Sequence, residues 1–112
     1  MGEASVKVGQ TNYHFVRGVV RKDGETPVDL SGASVACEYM RVYGPWNSVP
    51  GDVIRTDPES GAPLASNQVA WRHPPDAESI FDSAGTYLFR LVIDGPDGQV
   101  STETFSVIVS RY

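Results

Sequence analysis

At 112 residues, with 40% hydrophobic and 21% charged side chains, the chain has the size and make-up of one folded globular domain and is too short for two cores. A formal charge of −5 opposes broad attachment to nucleic acid or to an anionic membrane, because the phosphate attraction that dominates such binding turns into repulsion. The lone cysteine, Cys37, excludes an internal disulfide, no apolar run approaches the roughly 20 residues of a membrane-spanning helix, and the N-terminus lacks a signal-peptide or myristoylation pattern.

In chain order, residues 1–10 are polar, with Val6 and Val8 forming either a brief edge strand or a mobile arm that could be donated to a neighbour. Residues 11–112 then read as one domain. From Asn12 to Arg21, Tyr13, Phe15, Arg17 and Val19 share one parity, which predicts a strand buried on one side. Asp23-Gly24 marks a tight reversal, since both positions tolerate positive φ. Pro27 to Ala33 forms a connection in which Val28 and Leu30 plug one end of the fold. Ser34 to Val42 resumes the alternation, with Val35, Cys37 and Tyr39 on the inward parity.

Gly44 to Asp52 carries two prolines and two glycines around Trp46, so regular structure is not expected there. Val53 to Thr56 is a short strand candidate, and Val69 and Trp71 form an inward pair on another. His73-Pro74-Pro75 stops that strand by removing two backbone donors. Asp76 to Phe81 has the length of one helical turn, capped by Asp76. Asp82 to Val109 predicts one long antiparallel hairpin. Tyr87, Phe89, Leu91 and Ile93 face inward on its first arm, Asp94 to Gly98 turns, and Phe105, Val107 and Val109 face inward on the second. Six to eight short strands without an amphipathic helix point to an all-β fold, an immunoglobulin-like β-sandwich of about seven antiparallel strands.

Catalytic and metal chemistry find no support in the residue pattern. His14 and His73 lack the spacing of a zinc motif, Ser never stands in G-x-S-x-G, and phosphate-binding glycine loops are missing. The many aspartates sit where turns use them. Arg17, Arg21 and Lys22 are the closest basic grouping, and read as solvated strand ends. Cys37 reads as a small buried hydrophobe rather than a nucleophile. The expectation is a protein that is not an enzyme and needs no metal or cofactor.

Contact residues are sought among exposed aromatics and free edges. Tyr43, Trp46 and Asn47 in the Pro/Gly loop are candidates, because Trp and Tyr give large contact area with few rotamers to freeze. Trp46 has a second reading, as a lid folded over an open end of the fold. Val6 and Val8 are candidates as part of the N-terminal arm.

Pro27-Val28-Asp29-Leu30-Ser31-Gly32-Ala33-Ser34-Val35, Ala84-Gly85-Thr86-Tyr87-Leu88-Phe89, Asp97-Gly98-Gln99-Val100 and Thr102-Glu103-Thr104-Phe105 together resemble the immunoglobulin-like domain at the N-terminus of phage baseplate upper proteins. The order and spacing of the four pieces carry the likeness, which runs from Tyr13 to Val109. The resemblance implies a tailed-phage structural protein of the tail or baseplate, neck or capsid, made in the host cytoplasm and carried in the virion. Its implied partners are other virion structural proteins or further copies of itself. A carbohydrate-binding or host-adhesion module using Tyr43 and Trp46 is the alternative.

Overall fold

The alternating segments become eight strands in the computed structural model, which describes all residues except 1–3, 22–23, 42–43, 96–97, 103 and 112. The strands are β1 (Ala4–Lys7), β2 (His14–Gly18), β3 (Ser34–Met40), β4 (Asn47–Ser48), β5 (Gln68–Arg72), β6 (Gly85–Gly95), β7 (Gly98–Ser101) and β8 (Phe105–Ser110). No helix occurs among the described residues, and the fold is all-β.

The axis is β6, whose strict alternation buries Tyr87, Phe89, Leu91 and Ile93 on one face. One edge of β6 pairs antiparallel with β3, and β4 pairs in turn with β3. The other edge pairs with β7 near the turn and with β8 further away. Next to β8 lies β1, in parallel, so the sheet is mixed, in the order β1-β8-β6-β3-β4. A second, antiparallel sheet of β2 and β5 gains a short third rung where Ile54 exchanges hydrogen bonds with Ala70. The two sheets share one core in which Phe15 and Trp71 meet Phe89, while Leu30 and Phe81 close it with no exposed surface.

The predicted hairpin is interrupted on its second arm. Ser101 stands opposite Val92 but Phe105 stands opposite Phe89, so the second arm carries one residue more than the first. Thr102 holds this bulge from both sides: its N–H donates to Leu91 O at 2.9 Å and its Oγ1 accepts the Leu91 N–H at 3.0 Å. Inserting one residue exchanges the inward parity. Val100 therefore shares the face of Ile93 before the bulge, and Phe105 that of Phe89 after it.

Other differences have local causes. Asp76 to Phe81 forms no helical turn, because the Ser79 hydroxyl donates to Gln10 O at 2.6 Å and the Ile80 N–H donates to His73 Nε2 at 3.2 Å. Those partners pull the chain out of helical spacing. Asn47 and Ser48, expected to be irregular, pair with Tyr39 and Glu38 as β4. Val53 to Thr56 makes only isolated bridges, from Ile54 to Ala70 and from Thr56 to Pro63. The reversal at Gly24 is seen in the Arg21 N–H bond to Thr26 O at 2.8 Å, although Lys22 and Asp23 fall outside the described residues.

Candidate functional site

Even-numbered residues of β3 and β6 point away from the core and build the outer face of the larger sheet. Their register sets Met40 beside Leu88, Glu38 beside Arg90 and Ala36 beside Val92. Opposite charges directly across a strand pair attract, and here the contact is tight. Arg90 donates from Nε and Nη2 to Glu38 Oε1 at 2.9 and 2.8 Å, with about a quarter of each side chain exposed.

Trp46 lies on this pair. The Arg90 guanidinium sits 4.1 Å from the centroid of the indole ring, within cation–π range. What carries Trp46 there is β4, since pairing Asn47 with Tyr39 fixes the residue before it at the sheet margin. Asn47 Nδ2 also donates to Pro45 O at 3.1 Å. Beyond β4 the loop is pinned by buried Val49, whose N–H donates to Cys37 O, and by Pro50 O, which accepts Trp71 Nε1–H at 2.8 Å. Of the two readings for Trp46, the lid over an open end does not fit: the indole is half-buried on the outer face.

Among the other sequence candidates, Tyr43 lies outside the described residues. Val6 is 3% exposed, beside Val109 in the core, and partly buried Val8 packs against the same core. Neither is presented to a partner while β1 stays on β8. Sequence reasoning missed Glu38, Arg90, Met40 and Leu88. Their outward parity was readable, but the register that sets them in facing pairs was not.

The buried polar groups serve the fold. His73, fully buried, accepts the Ile80 N–H on Nε2, which leaves its Nδ1–H to donate to Pro74 O at 2.9 Å. The Tyr87 hydroxyl donates to Asp82 Oδ1 at 3.1 Å, with Ser83 O at 3.3 Å. Burial, with the Glu38 carboxylate adding to it, pushes the Cys37 thiol up to about 12. Burial also pushes the Tyr13 phenol up to about 12, against a smaller opposing effect of Arg17. A thiol held neutral is a poor nucleophile. Among the described residues, no three His, Cys, Asp or Glu side chains converge as a metal site would require.

These two groups predict an alkaline limit to stability. Both folded values stand above the ordinary 9.0 of a thiol and 10.0 of a phenol, so the folded chain keeps protons that the unfolded chain releases. The contribution of these two groups to stability is complete below about pH 9 and is lost as the pH climbs towards about 12. Melting temperatures taken from neutral pH upward should drop over that window, and Cys37→Ala should soften the early part of the drop. Cys37 should also resist thiol reagents until the chain unfolds.

No family model matches this chain, and no curated protein matches it either.

Proposed function

We propose that this chain is a non-enzymatic structural component of a tailed-phage virion, an immunoglobulin-like β-sandwich that acts through protein–protein contacts. The likeness of Pro27 to Val35 and Ala84 to Phe89 to the phage baseplate domains supports the virion setting. Strand order supports the immunoglobulin-like class: β3, β6 and β8 lie in one sheet, β2 and β5 in the other, and the first strand runs parallel to the last. Tyr87 adds to this. Near the start of β6, its hydroxyl reaches back to Ser83 O, as a tyrosine corner does at the start of the equivalent immunoglobulin strand. Two residues on, where antibody domains place a cysteine of the inter-sheet disulfide, stands Phe89, packed edge-on to Phe15 of the facing sheet at 6.3 Å.

The observation that carries the contact reading is the Trp46–Arg90 stack on the outer sheet face. Trp and Arg are the side chains most enriched at the energetic centres of protein interfaces, and here each holds the other in place before a partner arrives. Half-buried Met40, Leu88 and Ile108 extend that face with apolar surface. A sugar ring would find a poorer seat. One indole face is covered by Arg90, and the Asn47 amide is engaged by Pro45.

Trp46→Ala is expected to leave the fold intact, with a stability change below about 1 kcal/mol, as for surface changes outside the core. In cells producing particles, the share of the chain that sediments with them should fall at least about tenfold. Incorporation at the wild-type level would remove Trp46 from the contact. Glycan-array binding abolished by the same substitution would favour the carbohydrate-binding alternative.

A further inference from the structure

Among the described residues each sheet leaves a strand edge unpaired, and residues of both edges line one groove. In the smaller sheet, the Tyr13 carbonyl accepts the His73 N–H at 2.9 Å and the Val19 N–H donates to Asn67 O at 2.8 Å. Those bonds set the phase of the ladder: odd-numbered residues of β2 exchange hydrogen bonds with β5, and by alternation the N–H and C=O of His14, Val16 and Gly18 point the other way. Among the described residues, no strand pairs along that edge. Among the described residues of the larger sheet, β7 pairs with β6 alone, and β1 reaches β8 from Val107 onward.

Between the two edges runs an open groove of about 590 Å³. Val19, Leu91 and Ile93 line it together with Phe105, and the Arg17 guanidinium lies 4.1 Å over the Phe105 ring. Among the described residues the large hydrophobic side chains left exposed are Val16, Val20 and Val100. Val20 and Val100 are on the groove, and Val16 is on the open strand. The described lining also includes Arg17 and Arg21 and no carboxylate, in a chain whose net charge is −5.

We propose that this groove is a strand-addition site for an extended segment of a partner protein whose groove-facing side chains, at every second residue, are in turn acidic and apolar. The segment pairs its backbone with His14, Val16 and Gly18. Apolar side chains fill the space beside Ile93 and Val100, and carboxylates reach Arg17 and Arg21. Strand addition draws affinity from main-chain hydrogen bonds and selectivity from the alternating side chains, so an open edge beside an apolar groove supplies both parts. A second copy of β2 is the wrong occupant. With Arg17 on the strand and Arg21 just beyond it, antiparallel self-pairing would bring guanidinium groups of the two copies together, and the Glu59 carboxylate beside the strand already faces His14 Nε2 at 3.2 Å. This surface is separate from the Trp46 face, and the inference does not depend on the virion reading.

The test is a titration of the ¹⁵N-labelled chain with a short end-blocked peptide of repeating Glu-Thr-Val-Thr, which sets Glu and Val in turn on one face, against the same peptide with Lys in place of Glu. Saturable amide shifts at His14, Val16, Gly18 and Val100 are expected with the acidic peptide, and at least about tenfold weaker binding with the basic one. Arg21→Glu, at an exposed position, should narrow that preference. Arg17→Glu with Arg21→Glu should reverse it, provided the amide spectrum shows the fold retained; Arg21→Glu alone decides otherwise. Equal affinity for the two peptides, shifts confined to other surfaces such as the Trp46 face, or self-association through β2 without any peptide would each overturn the proposal.

Discussion

Phe89→Ala is expected to destabilise the fold by about 3–5 kcal/mol, the range found for removing a buried aromatic ring. Against a total of about 5–15 kcal/mol for a domain of this class, the substitution consumes a large part of what holds the chain folded. Phe89 has no exposed surface and is the ring on which both sheets converge. It stacks on Phe105 at 5.5 Å, meets Tyr13 and Phe15 of the β2 segment at 6.2 and 6.3 Å, and meets Trp71 of β5 at 6.3 Å. Tyr39 and Phe81 complete the shell at 6.1 and 6.3 Å. With no disulfide between the sheets, this aromatic cluster is what joins them. The cavity left by alanine would be bounded by rigid rings, which collapse poorly into a void. Urea titration should show a lower midpoint at unchanged slope, and the melting temperature should fall on the order of 10 to 20 °C. Phe89→Leu, which keeps most of the volume, should cost clearly less. An alanine variant as stable as the parent would mean that Phe105 and Phe15 refill the space, and that the cluster is softer than its geometry indicates.

Much of this core was legible in the sequence because period-2 alternation reports a face directly. Tyr87, Phe89, Leu91 and Ile93 were inward by parity alone, as were Cys37, Val69 and Trp71. What alternation does not report is pairing. Nothing in Thr102-Glu103-Thr104 announces that the second arm gains a residue there, since a bulge is defined by the strand opposite. The same holds for the Trp46 surface, where Glu38 and Arg90 lie far apart in sequence and meet only through the β3–β6 register. The β2 edge was hidden for a further reason: which backbone groups stay unpaired depends on ladder phase, and no side-chain pattern encodes that.

Val6→Asp is expected to detach β1 and to lower stability by roughly 2–3 kcal/mol, the scale of one buried aliphatic side chain. Val6 is 3% exposed, and a carboxylate there would be desolvated with no partner, so releasing the strand is cheaper than burying the charge. The loss should stay local. Gly9 N–H still donates to Phe81 O at 2.8 Å and the Ser79 hydroxyl still holds Gln10 O, both beyond the end of β1. Hydrogen exchange can read this residue by residue. The Val8 N–H bond to Ser110 O shows that even-numbered residues of β8 face β1, so the Ile108 and Ser110 amides should lose protection while those of Val107 and Val109, turned towards β6, keep theirs. Unchanged protection at Ile108 and Ser110 would mean that β1 does not occupy this edge in solution. That outcome bears on assembly as well. An arm docked on its own β8 must give up the burial of Val6 before it can add to a neighbour, whereas an arm already free could be donated at no such cost.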